Sequence, residues 1–298
     1  MDSHMQYFGV VPQSSALGAE ITGVDLSQAI DDGTLRQIED AFHRYSVIFF
    51  RSQKITPEQH VAFTRRLGDL EYYADRRYTL PQYPEVMVIS NIVENDRPIG
   101  ISDAGLFWHT DMSYLAKPSL GSLLYAVEVP HQGGLSLGNT RFVSTAAAYD
   151  ALPERTKKRI AGLTALHSHG GRLKMTLEAG PKLGLRSRDP SNVNQKNKLP
   201  DVLHPVVRTH PVNGRKCIFV SEGECTGIVD MPDDEALELI KDLSMHCTQP
   251  EYMYEHKWRI GDLLIWDNCS TQHLAVHDYK LPQRRLMYRT TLSGTAPF

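Results

Sequence analysis

The sequence has no long apolar run: stretches such as Val47-Ile48-Phe49-Phe50 end after four or five residues. A helix needs roughly 20 apolar residues to cross a bilayer, so no transmembrane helix and no membrane partner are expected. An excess of positive charge is missing too. Lys and Arg number 32 against 35 Asp and Glu, a formal charge of −3, without the basic footprint that phosphate-backbone binding needs, so nucleic acid is not expected as a partner. Cysteine is scarce. Cys217, Cys225, Cys247 and Cys269 fit neither a paired CxxC zinc site nor a dense disulfide framework, and a reducing cytoplasm is the expected location. The start lacks the basic and apolar regions of a secretion signal; Met1-Asp2-Ser3-His4 reads as a vector-derived remnant ahead of Met5. No repeat, low-complexity tract or composition shift marks a linker, so residues 5–298 read as a single domain.

Periodicity supplies the elements. Leu35, Ile38, Phe42 and Tyr45, three or four apart, predict an amphipathic helix running into a strand over 46–50. Thr56-Pro57-Glu58-Gln59 carries an N-cap, a first-turn proline and a capping-box glutamine, with Gly68 as the stop of a second helix. Further helices are expected over 144–161 and 233–246, the latter opened by Pro232 and the acidic Asp233, Asp234 and Glu235. Short β-type runs dominate elsewhere: 86–90, 122–129, 205–209, 217–221, 252–260, 263–266 and 286–292. Asn213-Gly214 between two of these runs signals a hairpin. The pattern implies a mainly β fold with flanking helices, a sandwich or rolled barrel. Residues 170–203 show little periodicity and read as a long mobile loop of the kind that forms lids.

The chemistry begins at Phe107-Trp108-His109-Thr110-Asp111. In an extended segment residues i and i+2 point to the same side, so His109 and Asp111 can share one metal ion. By itself such a pair arises about once by chance at this composition, and a surface or capping pair is the plain alternative. A facial triad of two histidines and one carboxylate needs a third ligand from a distant strand. His273, closing Trp266-Asp267-Asn268-Cys269-Ser270-Thr271-Gln272-His273, offers one.

These segments, together with Gly18–Leu26, the Gly133-Gly134 turn, His204-Pro205-Val206-Val207-Arg208-Thr209-His210-Pro211 and the block from Trp266 to Leu292, resemble the taurine dioxygenase family of iron(II) and 2-oxoglutarate-dependent oxygenases. That family also includes the 2,4-dichlorophenoxyacetate dioxygenases and alkylsulfatases. The resemblance covers most of the chain. It implies a double-stranded β-helix (jelly roll, cupin-like), iron held by His109, Asp111 and His273, and 2-oxoglutarate and dioxygen as cosubstrates. The presence of Asp111 disfavours halogenation, because the related halogenases lack this carboxylate.

Along Arg285-Leu286-Met287-Tyr288-Arg289-Thr290-Thr291-Leu292, period-2 geometry puts Arg285, Met287, Arg289 and Thr291 on one face. Two arginines four apart in a strand sit roughly 13 Å apart at about 3.3 Å per residue, too far to grip one carboxylate side by side. By resemblance, Arg285 holds the distal carboxylate of 2-oxoglutarate with Ser136, and Arg289 lies near the iron, serving cosubstrate or an acidic substrate. Guanidinium suits both tasks because it binds carboxylates bidentately. The chain departs from the family at Leu135-Ser136, where aspartate and threonine are usual, at Cys269, where arginine is usual, and at an extra Lys280.

Taurine itself fits poorly: Tyr73 stands where a sulfonate-binding histidine is expected and Gly105 where an asparagine is. Tyr72, Tyr73, Arg76, Arg77 and Tyr78 could present phenols and positive charge to a small acid, although such tyrosines also serve as packing. A narrower likeness, carried by Tyr72, Tyr73, Tyr78, Lys174 and His277, is to isonitrile-forming oxygenases that act on N-carboxymethyl amino acids. The expected reaction is therefore oxidation of a C–H bond, hydroxylation by default, of a small acidic or amino-acid-like substrate, with desaturation or isonitrile formation as alternatives. A zinc hydrolase on the same three ligands and a non-catalytic cupin-like binding protein remain the readings from other classes. A homo-oligomer is expected from general frequency.

Overall fold

The computed structural model describes residues 7–73, 76–182 and 199–298. Residues 1–4, read as a remnant, lie outside these. An eight-stranded sheet forms the frame, in the order Gly9–Pro12, Ala19–Thr22, Val47–Phe50, Leu263–Asp267, Gly121–Glu128, Leu286–Leu292, Tyr83–Ser90 and Thr79–Leu80. Neighbours are antiparallel except Ala19–Thr22 beside Val47–Phe50, which is parallel. A three-stranded sheet of Met253–His256, Thr140–Ser144 and Thr271–Ala275 faces it. A second three-stranded sheet joins Val202–Pro205, Thr164–His167 and Cys225–Ile228.

Strand alternation produces the layers. Ile48, Phe50, Leu263 and Ile265 point to one face of the large sheet and Val47, Phe49, Leu264 and Trp266 to the other. The first face packs beneath helix α1 (Asp32–Tyr45) and helix α2 (Pro57–Leu67) through Leu35, Ile38, Phe42 and Phe63. The second face meets Phe142 and Tyr254 of the smaller sheet, with Trp258 filling the gap. A third core lies among α3 (Thr145–Ala151), α4 (Glu154–Ile160) and α6 (Asp233–Cys247), where Ala148, Ile160, Leu239 and Ile240 pack on Val206 and Ile218. Each fully buried aliphatic or aromatic side chain contributes about 1.5–3 kcal/mol. The large sheet thus anchors both ends of the chain's chemistry between two apolar layers.

The helix signals hold. Asp31 caps α1 by accepting from Gly33 and Thr34, and Thr56 and Gln59 form the reciprocal capping box of α2. The expected helix over 144–161 is two, because Pro153 holds Leu152 in an extended conformation and α4 starts afresh behind it. The expected strand over 252–260 ends at His256, and the run 205–209 divides between Val202–Pro205 and Val207–Thr209. Asn213-Gly214 does lie in a hairpin, but Thr209 pairs with Lys216, so the connection has six residues rather than two. His210 organises it: its Nδ1 accepts from the N–H groups of Val212 and Asn213. All four cysteines are free and buried. Among the described residues no helix is long and apolar enough to cross a membrane.

The expected loop over 170–203 needs correction. Residues His169–Lys182 form helix α5, and the strand Val202–Pro205 closes the segment; 183–198 lie outside the described residues. Gly170, Gly171 and Pro181 weaken the periodic signal of α5, so tertiary anchors hold its start. Ser168 N–H donates to the Glu224 carbonyl, and the Ser168 hydroxyl accepts from Gly171 N–H.

Candidate active site

His109 and His273 face each other across an antiparallel bridge. Each N–H donates to the other's carbonyl, at 3.2 and 3.0 Å. Residues that exchange both bonds present their side chains on the same side of the ladder, and here the imidazole centroids are 4.1 Å apart. Asp111 follows two residues on, with Oδ1 at 3.8 Å from His109 Nε2 and 4.0 Å from His273 Nε2. One ligand atom from each residue falls within 4.8 Å of the others, and all three residues are buried.

The electrostatics suit a cation. His109 Nδ1 donates to the Phe107 carbonyl at 2.8 Å, which leaves its Nε2 lone pair facing Asp111. Burial pulls His273 down to about 4, and burial with the neighbouring His273 holds His109 well below the ordinary histidine value, so both rings are neutral donors at neutral pH. Burial alone would raise Asp111, but Arg289 and the two histidines hold it below the usual carboxylate range. Asp111 Oδ2 also accepts from Ser122 Oγ at 2.9 Å. Two neutral imidazoles and one charged carboxylate are the protonation states a divalent metal requires. His109, Asp111 and His273 would hold such an ion, with their ligand atoms already within 4.8 Å of one another.

Arg289 and Arg285 differ in their partners. Both are buried, at 7% and 4% exposure, which rules out a solvent-facing charged strand. Arg289 Nη1 sits 3.1 Å from Asp111 Oδ1, and burial of the guanidinium is more than offset by Asp111 and Tyr73, which keep it charged. The Arg285 backbone is pinned by Asn91 Oδ1 and Ser90 Oγ. Its Nε has no hydrogen-bond partner, and among the described residues no carboxylate pairs with it; the guanidinium carbon lies 5.8 Å from the Tyr279 ring. Gly138 lets the guanidinium pass, since a Cβ there would stand 2.9 Å from Arg285 Nε and 2.8 Å from Tyr279. A buried cation without an anion fits a carboxylate ligand.

The chain matches, over residues 9–291, the family described as Taurine catabolism dioxygenase TauD, TfdA family. It belongs to that family. It is similar to the alpha-ketoglutarate-dependent 2,4-dichlorophenoxyacetate dioxygenase of Cupriavidus pinatubonensis, 32% identical over 290 residues, covering 94% of this chain and 96% of the relative. Pentalenolactone F synthase of Streptomyces arenae is 31% identical over 274 residues, covering 91% of this chain and 90% of the relative. In fold it is similar to the crystal structure of a taurine dioxygenase from Burkholderia xenovorans, with a TM-score of 0.79 at 32% identity, covering 97% of this chain and 90% of that one. The jelly-roll expectation holds, and the protein is a 2-oxoglutarate-dependent dioxygenase that uses Fe(II), 2-oxoglutarate and O2. Membership in this family decides against the zinc-hydrolase and non-catalytic readings.

Of the other residues singled out in the sequence, Tyr73 is buried beside Arg289, with its hydroxyl 2.5 Å from Thr291 Oγ1, which also accepts from Arg289 Nε at 3.3 Å. Tyr72 is 60% exposed and reaches Glu85. Tyr78 is half-buried under Arg77. His277 contacts the Ala104 carbonyl at 3.3 Å and stacks on Tyr279, beside Arg285. The Ser136 hydroxyl donates to Asn139. Lys174 is exposed on α5. A second trio, His210, Asp267 and Cys269, also has ligand-like spacing. There Asp267 already accepts from His210 Nε2, Cys269 N–H and Ser270 Oγ, and both His210 nitrogens are engaged, so the trio is a satisfied structural network.

Sequence reasoning missed four residues here. Ser122 supports Asp111. Glu71 accepts from Ser119 at 3.0 Å through both oxygens, and burial pushes its carboxyl up while Arg289 opposes. Arg172 and Glu224 form an ion pair beside the metal loop. Arg172, a cation inside the segment read as a loop, was the available signal; Ser122, Glu71 and Glu224 gave none, because their partners are set by folding.

Proposed function

We propose that this dioxygenase hydroxylates a C–H bond of a small molecule carrying an acidic group and releases succinate and carbon dioxide. His109, Asp111 and His273 hold the iron, Arg285 takes the distal carboxylate of 2-oxoglutarate, and Arg289 serves the side of the metal facing Tyr73. The observation that carries this reading is the convergence of two neutral imidazoles and one charged carboxylate inside the rolled sheet, with two buried arginines at hand. With only three protein ligands, a metal held there would keep room for 2-oxoglutarate and dioxygen. Bound iron supplies the redox chemistry. The chain's own residues bind, orient and exclude water: Phe107 fixes the His109 tautomer, Ser122 fixes the Asp111 rotamer, and Arg285 sets the direction from which the 2-oxoacid approaches. The 2,4-dichlorophenoxyacetate dioxygenase among the relatives bears a carboxylate substrate in its name, which supports an acidic class.

A screen of small carboxylates, sulfonates, phosphonates and N-substituted amino acids, read by succinate release and oxygen uptake, tests this. Substrate-dependent succinate that disappears in Asp111→Ala is expected. A protein that gives no visible charge-transfer band on anaerobic addition of iron(II) and 2-oxoglutarate, and whose Asp111→Ala variant behaves as wild type, would refute the reading.

A further inference from the structure

Glu224 is the most connected carboxylate beside the metal loop, and it is 1% exposed. Its Oε2 accepts from the N–H of Thr110 at 3.2 Å, from Ser113 Oγ at 2.8 Å and from Ser221 Oγ at 3.4 Å. Thr110 lies between His109 and Asp111. The other oxygen, Oε1, holds Nη1 of Arg172, the side chain that α5 sends toward the site. Glu224 thus fixes a cation on a helix to the loop that carries two metal ligands.

Arg172 has the properties of a receptor. Its guanidinium carbon lies 5.6 Å from the Phe107 ring centroid and 5.9 Å from that of Tyr114, and the Phe107 ring lies 5.8 Å from His109. The side chain is 22% exposed, so it is not sealed in the core. Among the described residues only Nη1 has an acceptor, which leaves the Nε and Nη2 donors. A guanidinium with one corner clamped and one edge available is preorganised for an oxyanion, because the ordering cost is met before the ligand arrives.

We propose that Arg172 is the specificity-determining anion receptor of the site, with Glu224 as its positioning residue, and that it takes a carboxylate or sulfo group carried by the oxidisable substrate. This rests on the oxygenase reading above and adds to it which residue reads the acidic group. Arg289, tied to Asp111, and Arg285, apart from the metal loop, are left for other tasks.

Calorimetry on the manganese(II)-loaded protein, which binds without turnover, separates the two readings. Titration with 2-oxoglutarate tests the oxygenase reading. Titration of phenoxyacetate against phenoxyacetamide, and of hexyl sulfate against hexanol, tests Arg172 and tells carboxylate from sulfo recognition. At least one anion is expected to bind about tenfold or more tightly than its neutral counterpart. Arg172→Gln is expected to remove that preference while leaving the neutral probe unchanged, and Arg172→Lys to restore part of it. The double variant Arg172→Gln with Glu224→Gln leaves no unpaired buried carboxylate, and its melting curve shows whether it folds. No anion preference in the wild type, or a preference that survives in the folded Arg172→Gln or double variant, would overturn the proposal. If 2-oxoglutarate fails to bind, the oxygenase reading falls alone, and the anion titrations still decide Arg172.

Discussion

Nη1 of Arg289 lies 3.1 Å from Oδ1 of Asp111, the oxygen that also faces both imidazole Nε2 atoms. One cation therefore neutralises the carboxylate that an iron ion would share. Breaking a buried pair by removing one partner strands the other charge, at about 3–5 kcal/mol. Arg289→Gln is expected to lower the Tm of the metal-free protein, and manganese(II), by supplying the missing positive charge, to raise Tm more in the variant than in the wild type. Differential scanning fluorimetry with and without the ion checks this; equal shifts in the two proteins would contradict it.

Arg285 has a buried Nε without a partner and a glycine beside it. Charge-assisted hydrogen bonds contribute about 1.5–3 kcal/mol, so Arg285→Gln is expected to raise the KM for 2-oxoglutarate about 10- to 100-fold with metal affinity retained. Gly138→Ala, whose Cβ would press on Arg285 and Tyr279, is expected to do the same by displacement. Steady-state kinetics with 2-oxoglutarate varied, beside calorimetric metal titration, separates these effects.

Gly223 admits the Phe107 ring: a Cβ there would stand 2.4 Å from two ring carbons. Because the Phe107 carbonyl holds His109 Nδ1, Gly223→Ala is expected to weaken iron(II) binding about tenfold or more. Trimming the ring in a Phe107→Ala, Gly223→Ala double variant is expected to recover much of the loss. A competitive chelator titration reads both, and an unaltered affinity in Gly223→Ala would show that the loop yields without moving His109.

Acid sensitivity follows from two histidines outside the metal site. Burial pulls His60 down to about 3, and burial with the nearby His204 brings His167 to about 3, from an ordinary 6.5. Their folded values are depressed, so the stability they contribute is fully present above pH 6.5 and is lost as pH falls toward 3, where the unfolded chain takes up protons the folded rings refuse. Each contribution is on the order of a few kcal/mol. Urea unfolding at pH 7, 5.5 and 4.5 is expected to give a falling stability, with a shallower fall in His60→Gln. Parallel slopes for the two proteins would remove His60 from the account.

Much of this architecture was legible locally. The capping box at Thr56 and Gln59, the alternation in Val47–Phe50 and Leu263–Asp267, and the acidic opening of α6 each depend on neighbours within a few residues, and each folds as read. Helix α5 did not announce itself, because Gly170, Gly171, Gly180 and Pro181 blur its period and anchors at Ser168 and Glu224 hold its start.

The sequence by itself determined the chemical inventory: a histidine and an aspartate two apart, one distant histidine, and two arginines on the last strand, since these are matters of residue type and spacing. The tertiary structure decided which of them meet. Sheet register sets His109 opposite His273, and the turn after it carries Asp111 to Ser122 and Arg289. The pairing of Arg172 with Glu224, from segments with no shared periodicity, was likewise settled only when the chain closed. The physical reason is that strand alternation fixes which face a side chain occupies, whereas its partner across the site depends on loop closure and packing between segments far apart along the chain.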